Sequence, residues 1–207
     1  MHMNQEESVF GATFRSKKAR AEEKVMREEA AELLKKVDLY ENRDDMAMIY
    51  SKFPCVCAGT YTTNLVKAAP VIWDRQITDS NIMPQAVVIN SGIANACTGK
   101  EGLKVCEHTA LEAAKALDIE GNQVLVASTG VIGMPIPIDR IKNGIRIMSG
   151  SLKGTQKAGE AASKAIMTTD TKNKQVAVSF EIDNKTVTIG GMSKGSGMIH
   201  PNMCTML

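Results

Sequence analysis

The alternation of apolar and polar positions along the chain changes character near residue 45. Residues 15–38 are rich in Ala, Glu, Lys and Arg, which favours a solvated helix that lies on another surface or acts as a partner-binding arm. From residue 46 the segments MAMIYSK, CVCAGTYTT and APVIWDRQ are short and enriched in β-branched and aromatic residues, which is typical of strands. The pattern divides the chain into an atypical charged helical segment, 1–43, and a main domain, 44–207.

The main domain mixes strands and helices. QAVVIN and QVLVAST are short apolar runs that predict buried strands, and residues 100–117 repeat apolar positions at helical spacing. Further helices are predicted over 138–148 and 152–166, and QVAVSFEI and KTVTIGG predict a hairpin that turns at Asp183-Asn184. Because strands and helices do not alternate strictly, the order indicates an α+β fold rather than a doubly wound sheet.

Composition narrows the class of protein. Apolar residues make up 43% of the 207 residues and charged residues 23%, which is enough for a folded core. A net charge of +2 and an aromatic content of 4% disfavour a nucleic-acid-binding protein. Since no apolar run approaches the ~18 residues of a membrane span and the N-terminus lacks an apolar signal core, we expect a cytoplasmic protein without membrane contact.

The cysteines and glycines indicate neither a metal nor a cofactor site. The five cysteines, Cys55, Cys57, Cys97, Cys106 and Cys204, are odd in number, and Cys55-Val56-Cys57 lacks the spacing of zinc or redox motifs. We expect reduced thiols that act as small buried hydrophobic residues. No dinucleotide-binding glycine pattern and no P-loop occurs.

Four polar, glycine-containing segments follow strand-like runs, at the places where functional loops concentrate: 90–99, 128–133, 167–171 and 194–205. Ser128-Thr129-Gly130 offers a hydroxyl and backbone N–H groups to an oxyanion. Residues 168–171 group donors and acceptors suited to an amino-acid-like ligand, and Lys194 adds a cation beside small residues. Taken singly, each segment also fits turn or helix-cap chemistry.

Taken together, these segments resemble the ArgJ family, the ornithine acetyltransferases and N-acetylglutamate synthases of arginine biosynthesis. The matching text is MAMIYSK, AGTYTTNLVKAAPV, VVINSGIANACTGKEGL, VLVASTGVIGMPIP, AIMTTDT and GGMSKGSGMIHPNMCTML. The resemblance runs from about Asp44 to Leu207. It implies a layered fold like that of DmpA and ArgJ, with mixed β-sheets flanked by helices, of which this chain is the N-terminal, α-chain half.

The resemblance also implies a self-cut precursor. The matching bond is Cys204–Thr205, where Cys replaces the usual Ala, and Thr205 becomes the N-terminal nucleophile. Its freed α-amine, with an ordinary pKa of ~8, then serves as the base for the threonine hydroxyl. His200 is expected to order the turn before the cut site.

The remaining roles carried over by the resemblance fall in the strand-end segments. Thr129 and Gly130 match the oxyanion-hole pair, and Thr168 and Lys194, with Thr205, match substrate-binding positions. The implied reaction transfers acetyl from N2-acetylornithine to glutamate, with acetyl-CoA as a possible second donor and no cofactor. The implied partner is a β chain, the C-terminal half, in an α2β2 heterotetramer.

Three departures from the family pattern bear on these expectations. Residues 15–38 stand where a short Gly- and Pro-containing strand is usual, and Ile93 replaces an Asn in the NSGxANACTG loop. The sequence stops two residues past the nucleophile, so we expect no appreciable acetyltransferase activity from these residues without the β half. The alternatives are a self-cleaving amidase or aminopeptidase of the same architecture, and a non-catalytic fragment or subunit.

Overall fold

The computed structural model describes residues 44–195, so the helix predicted over 15–38 and the predicted junction at Cys204–Thr205 lie outside the described part. Strands and helices follow one another in mixed order within it. Their bounds are β1 Met46–Tyr50, α1 Ala69–Thr78, β2 Ala86–Asn90, α2 Gly99–Leu117, β3 Val124–Ser128, α3 Ile138–Ser149, α4 Gln156–Ala165, β4 Lys174–Ile182 and β5 Lys185–Ser193.

Strands β1, β2 and β3 form a three-stranded sheet in that order. β1 runs antiparallel to β2, and β2 runs parallel to β3 with Val88 opposite Val126. A parallel connection needs a long crossover, which the 19-residue helix α2 supplies. The core lies where α2 and α3 cover this sheet; its buried members include Val88, Cys106, Ala110, Ala113, Val124, Val126 and Ile145.

Helix α1 corrects the strand predicted for APVIWDRQ. Pro70 lies in the first turn of the helix, where its missing N–H costs no hydrogen bond, and Ala69 and Ile77 are buried. Trp73 Nε1 donates to the carbonyl of Val124 at 3.0 Å, and Asp74 Oδ1 accepts from the N–H of Val126 at 2.9 Å. Two helix side chains thus bond to the edge of β3 as a neighbouring strand would.

CVCAGTYTT, which was also predicted as a strand, contains no strand. Residues 51–68 form a long connection between β1 and α1, and several of its apolar side chains, such as Val56 and Leu65, are exposed. The N–H of Cys55 donates to the carbonyl of Pro84 at 3.0 Å, but the residues that follow do not continue this pairing as a strand, so β-branched composition alone does not make this segment a strand.

The other predicted elements are confirmed. The two buried strands form the centre of the sheet, helix α2 begins one residue earlier than predicted, and helix α3 covers the predicted range. Helix α4 begins later than predicted, at Gln156, because Thr155 caps it: its Oγ1 accepts from the N–H of Ala158 at 3.2 Å.

The predicted hairpin forms from β4 and β5, and it turns at Asp183 and Asn184 with φ values of 49° and 58°. Asp and Asn tolerate these left-handed conformations, which a tight two-residue hairpin turn requires. The register places most of the large apolar side chains on one face, whereas Ser179, Glu181, Thr186 and Thr188 lie on the other. The apolar face consists of Val176, Val178, Phe180, Ile182, Val187 and Ile189, all of them exposed within residues 44–195.

Candidate functional site

The ends of two parallel strands form the base of the candidate site. Beyond β2 and β3 the two segments that follow the strands stay paired. The N–H of Thr129 donates to the carbonyl of Asn90 at 3.0 Å, and the N–H of Val131 donates to the carbonyl of Gly92 at 2.9 Å. The N–H of Ala94 returns a bond to the carbonyl of Val131 at 2.9 Å. The segments that follow the two strands are therefore held side by side at one edge of the sheet.

Gly130 needs to be glycine for two reasons. Its φ is 129°, a backbone conformation that residues with a Cβ rarely adopt. A Cβ at this position would also overlap the backbone carbonyl of Gly92. Within residues 44–195 the N–H of Gly130 donates to no other group. The close passage of the two segments thus presents a backbone donor next to the Thr129 side chain.

Lys194 is brought to the same edge by the hairpin. It directly follows β5, and its Nζ donates to Oγ1 of Thr129 at 3.0 Å. A hydroxyl that accepts from an ammonium still carries its own hydrogen, so Thr129 can donate to a further acceptor. A cation, a hydroxyl and a backbone N–H therefore meet at the ends of three strands, an arrangement suited to developing negative charge.

Asp170 connects the loop after α4 to the loop after β5. Its Oδ1 lies 2.8 Å from Lys174 Nζ, its Oδ2 accepts from the N–H of Thr168 at 3.3 Å, and the N–H of Gly195 donates to the same carboxylate. Its side chain is only 3% exposed. The hydrogen bond from Lys174, supported by those from Thr168 and Gly195, holds the pKa of Asp170 below its usual range.

The loop after β2 is anchored to the rest of the domain through Ser91. Its N–H donates to the carbonyl of Asp45 at 2.7 Å, and its Oγ donates to the carbonyl of Ala165, at the end of α4, at 2.6 Å. Ile93, which replaces the usual Asn, is buried and pairs with Val131 through a parallel bridge. The side chain at this position is therefore an apolar one that is shielded from solvent.

The four described residues of the predicted site lie along one chain of contacts. Lys194 contacts Thr129 directly, Gly130 is adjacent to Thr129, and Thr168 is joined to Gly195 through Asp170. The remaining predictions, Cys204, Thr205 and His200, fall outside the described residues. The sequence placed Asp170 only among the ligand-holding polar groups, whereas the structure shows its carboxylate turned onto the protein's own donors.

The cysteines only partly follow the prediction. Cys106 is fully buried, and burial raises the pKa of its thiol to about 12, so it stays neutral. Cys55 and Cys97 are exposed and Cys57 is half-buried, which contradicts the expectation of small buried residues. These three belong to irregular segments that lie outside the core, where packing does not demand burial. All four described thiols are free.

Residues 44–195 contain no group of three His, Cys, Asp or Glu side chains arranged to hold a metal ion. No helix in that part of the chain is both long enough and apolar enough to cross a membrane.

Comparison with known protein families matches residues 30–207 to the ArgJ family. Curated relatives of Symbiobacterium thermophilum and Clostridium acetobutylicum bear the names arginine biosynthesis bifunctional protein ArgJ and ArgJ 1. They are 54% identical over 165 residues and 52% identical over 167 residues, in each case across 80% of this chain. The chain belongs to the ArgJ family. It spans 40% of the length of each of these two relatives.

Two solved structures share the fold. ArgJ of Bacillus halodurans is 43% identical with a TM-score of 0.73, and the match covers 79% of this chain and 85% of that chain. Ornithine acetyltransferase of Mycobacterium tuberculosis, solved in complex with ornithine, is 39% identical with a TM-score of 0.71, over 76% and 82% of the two chains. These similarities confirm the predicted ArgJ-like α+β fold with mixed sheets flanked by helices.

Proposed function

We propose that this chain supplies the oxyanion-binding and substrate-binding half of a glutamate N-acetyltransferase in arginine biosynthesis. In this proposal acetyl passes from N2-acetylornithine to glutamate by way of Thr205. The observation that carries the proposal is the contact between Lys194 Nζ and Thr129 Oγ1, in the residue next to Gly130. Membership of the ArgJ family supports it.

The chemistry assigns one role to each group. The hydroxyl of Thr205 attacks the acetyl carbonyl, and the carbonyl oxygen becomes an oxyanion that accepts from the Thr129 hydroxyl and the Gly130 N–H. When the tetrahedral intermediate collapses, the ornithine amine leaves with a proton and the acetyl group remains as an ester on Thr205. The amine of glutamate then attacks that ester, which releases N-acetylglutamate and restores the hydroxyl.

The nucleophile arises by the same type of step. The Thr205 hydroxyl attacks the carbonyl of Cys204, the amide is exchanged for an ester, and water hydrolyses the ester. The α-amine of Thr205 that this frees accepts the hydroxyl proton during acetyl transfer. No histidine is required, which fits a chain of 207 residues with three histidines.

Lys194 and Thr168 are proposed to recognise the amino-acid part of the substrate. An ammonium and a hydroxyl at the loop ends suit the carboxylate that ornithine and glutamate share. The relative of Mycobacterium tuberculosis was solved with ornithine, which supports an amino-acid substrate of this class. Acetyl-CoA as a second acetyl donor remains part of the proposal.

The partner in this proposal is the C-terminal part of an ArgJ protein. The chain spans 40% of its curated relatives, so the greater part of their length has no counterpart here. An isolated two-stranded hairpin is marginally stable, and the hairpin β4–β5 exposes an apolar face just before the predicted junction. We infer that the C-terminal part packs on this face. The α2β2 assembly and the cytoplasmic location belong to the same proposal.

The test is acetyl exchange by the chain extended beyond Leu207 with the C-terminal part of the Symbiobacterium thermophilum relative. With N2-acetylornithine and glutamate, N-acetylglutamate should appear as fast as acetylornithine disappears. Thr129→Val, which keeps the side-chain shape, should reduce the rate strongly. Thr186→Val is the matched control, because the Thr186 hydroxyl bonds to Glu181 on the exposed hairpin.

Hydrolysis distinguishes the amidase alternative. If acetylornithine is consumed at the same rate with and without glutamate and free acetate accumulates, the enzyme is an amidase and the transferase proposal is wrong. Absence of both products in a folded, cut protein supports the non-catalytic alternative.

A further inference from the structure

We propose that Asp170 is a positioning residue that holds Lys194 against Thr129 by binding the backbone on either side of the site. The inference rests on the proposed function for its catalytic meaning, because it assigns the placement of a group in the same site. Its physical basis is independent of any substrate.

The first argument is the number of donors that converge on one carboxylate. Oδ2 accepts from the N–H of Thr168 at 3.3 Å, Oδ1 lies 2.8 Å from Lys174 Nζ, and the N–H of Gly195 donates as well. Hydrogen bonds to an ionised acceptor are stronger than those between neutral groups, and this side chain is almost entirely shielded from water. The carboxylate thus ties the loop after α4 to the residue that follows Lys194.

The second argument is the requirement for glycine at position 195. A Cβ on Gly195 would overlap Oδ1 of Asp170. The carboxylate can stay on its three donors only while position 195 has no side chain. The backbone at 195 is therefore shaped around Asp170, and Lys194, one residue earlier, is directed to Thr129.

The third argument concerns charge. Lys194 and Lys174 both lie near the loop ends, and only Lys174 forms an ion pair with Asp170. Asp170 reaches Lys194 through the backbone of Gly195 and leaves its ammonium for Thr129 and for a substrate carboxylate. A direct ion pair with Asp170 would have neutralised that ammonium.

The test is competitive acylation of lysines in the chain, read by peptide mass spectrometry. The rate for Lys194 is compared with that for Lys153, which is exposed. In Asp170→Asn we expect Lys194 to react several-fold faster relative to Lys153, because it is released from Thr129. The buried thiol of Cys106 reports unfolding and should stay unreactive. An unchanged Lys194 rate in the folded variant would overturn the proposal.

Glu160→Gln is the matched control. It removes an i,i+4 pair with Lys164 of 2.6 Å, similar to the Asp170–Lys174 pair but exposed on α4. It should leave the Lys194 rate unchanged. An equal rise in both variants would mean that loss of any such ion pair loosens the domain, and would overturn the specific role of Asp170.

Gly195→Ala gives a second route to the same state, since the new methyl group displaces the carboxylate. Its control is Gly190→Ala on β5, where a Cβ would meet nothing within 4 Å. The first should raise the Lys194 rate and the second should not; equal rates in the two variants contradict the proposal.

The wild-type chain provides a measurement that needs no variant to fold. Hydrogen exchange followed by NMR should show the amides of Thr168 and Gly195 exchanging more slowly than in an unstructured chain. Unprotected exchange at Gly195 would overturn the proposal. Because neither measurement uses an acetyl substrate, a failed acetyl-exchange assay would refute the proposed function and leave this inference standing.

Discussion

The ammonium of Lys194 lies 3.0 Å from the hydroxyl oxygen of Thr129, although 64 residues separate them in the sequence. The contact joins the end of β5 to the end of β3, and thus connects the hairpin to the three-stranded sheet. It places the hairpin's cation beside the backbone donor of Gly130. The proposed chemistry depends on this junction, and so does the first prediction.

Thr129 and Lys194 should act as one unit in acetyl exchange. Thr129→Val in the extended chain should lower kcat by ~100–1,000-fold, the usual loss for one oxyanion donor. Lys194→Met should lower activity as well, and the double variant should lose less than the product of the two single losses, because both remove the same contact. Steady-state kinetics on the four proteins measures this coupling. Strictly multiplicative losses would show that the two side chains act separately.

Gly130→Ala should destabilise the domain more than Gly133→Ala. Both positions have positive φ, 129° and 89°, so each alanine costs ~1–2 kcal/mol of backbone strain. Only the Cβ at position 130 would overlap Gly92, which adds a further ~1–3 kcal/mol of overpacking. Denaturant unfolding of the two variants isolates the overlap. Equal stabilities would mean that the backbone of Gly92 moves aside freely.

Stability should fall as the pH rises from about 4 to about 7, because of Asp74. Burial raises the pKa of this carboxyl from 3.8 to about 7, so the folded state holds a proton that the unfolded state has lost. The contribution of the protonated Asp74 to the free energy of unfolding is complete below pH 3.8. It is lost as the pH rises through the pKa of Asp74 in the folded state, about 7. The slope is at most ~1.4 kcal/mol per pH unit. Denaturant unfolding across this pH range measures it.

Asp74→Asn should flatten this pH dependence. The amide oxygen can still accept from the N–H of Val126, and the titrating proton is gone. Asp79→Asn, at the exposed end of the same helix and paired with Arg75, should keep the wild-type slope. A slope that survives in Asp74→Asn would assign the effect to another group.

The apolar face of the hairpin should be needed for association with the C-terminal part. Val178→Asp places a charge in the middle of that face, whereas Ser179→Asp places it on the opposite, polar face of the same strand. Co-expression with a separately encoded C-terminal part, followed by affinity purification, should recover the complex with Ser179→Asp and not with Val178→Asp. Recovery with both variants would locate the interface elsewhere.

Local patterns in the sequence predicted most of the secondary structure. The apolar runs of β2 and β3 and the helical spacing of α2 reflect burial in the core, and the polar turn at Asp183-Asn184 reflects its left-handed backbone. The strand predicted for APVIWDRQ was wrong. Its β-branched residues favour a strand, but Pro70 is typical of the first turn of a helix. Ala69, Trp73 and Ile77 in fact recur at a spacing of four, which indicates a helix face.

The geometry of the site lay beyond local patterns. The contact of Lys194 with Thr129 and the three donors on Asp170 join residues from separate loops, and no periodicity records such pairs. The resemblance to the family predicted roles for Thr129, Gly130, Thr168 and Lys194, but it could not show that Asp170 faces the backbone of Gly195. Gly130 and Gly195 are glycines because Gly92 and Asp170 approach them closely. Their positions in the sequence do not indicate these neighbours.

The most direct test of the account is whether Thr205 carries the acetyl group. The extended chain, incubated with N2-acetylornithine in the absence of glutamate, should be cut at Cys204–Thr205 and should carry one acetyl group on the peptide that begins at Thr205. Glutamate should remove that group as N-acetylglutamate, and Thr205→Ala should show neither the cut nor the acetyl group. Acetyl exchange that persists in Thr205→Ala would contradict the account.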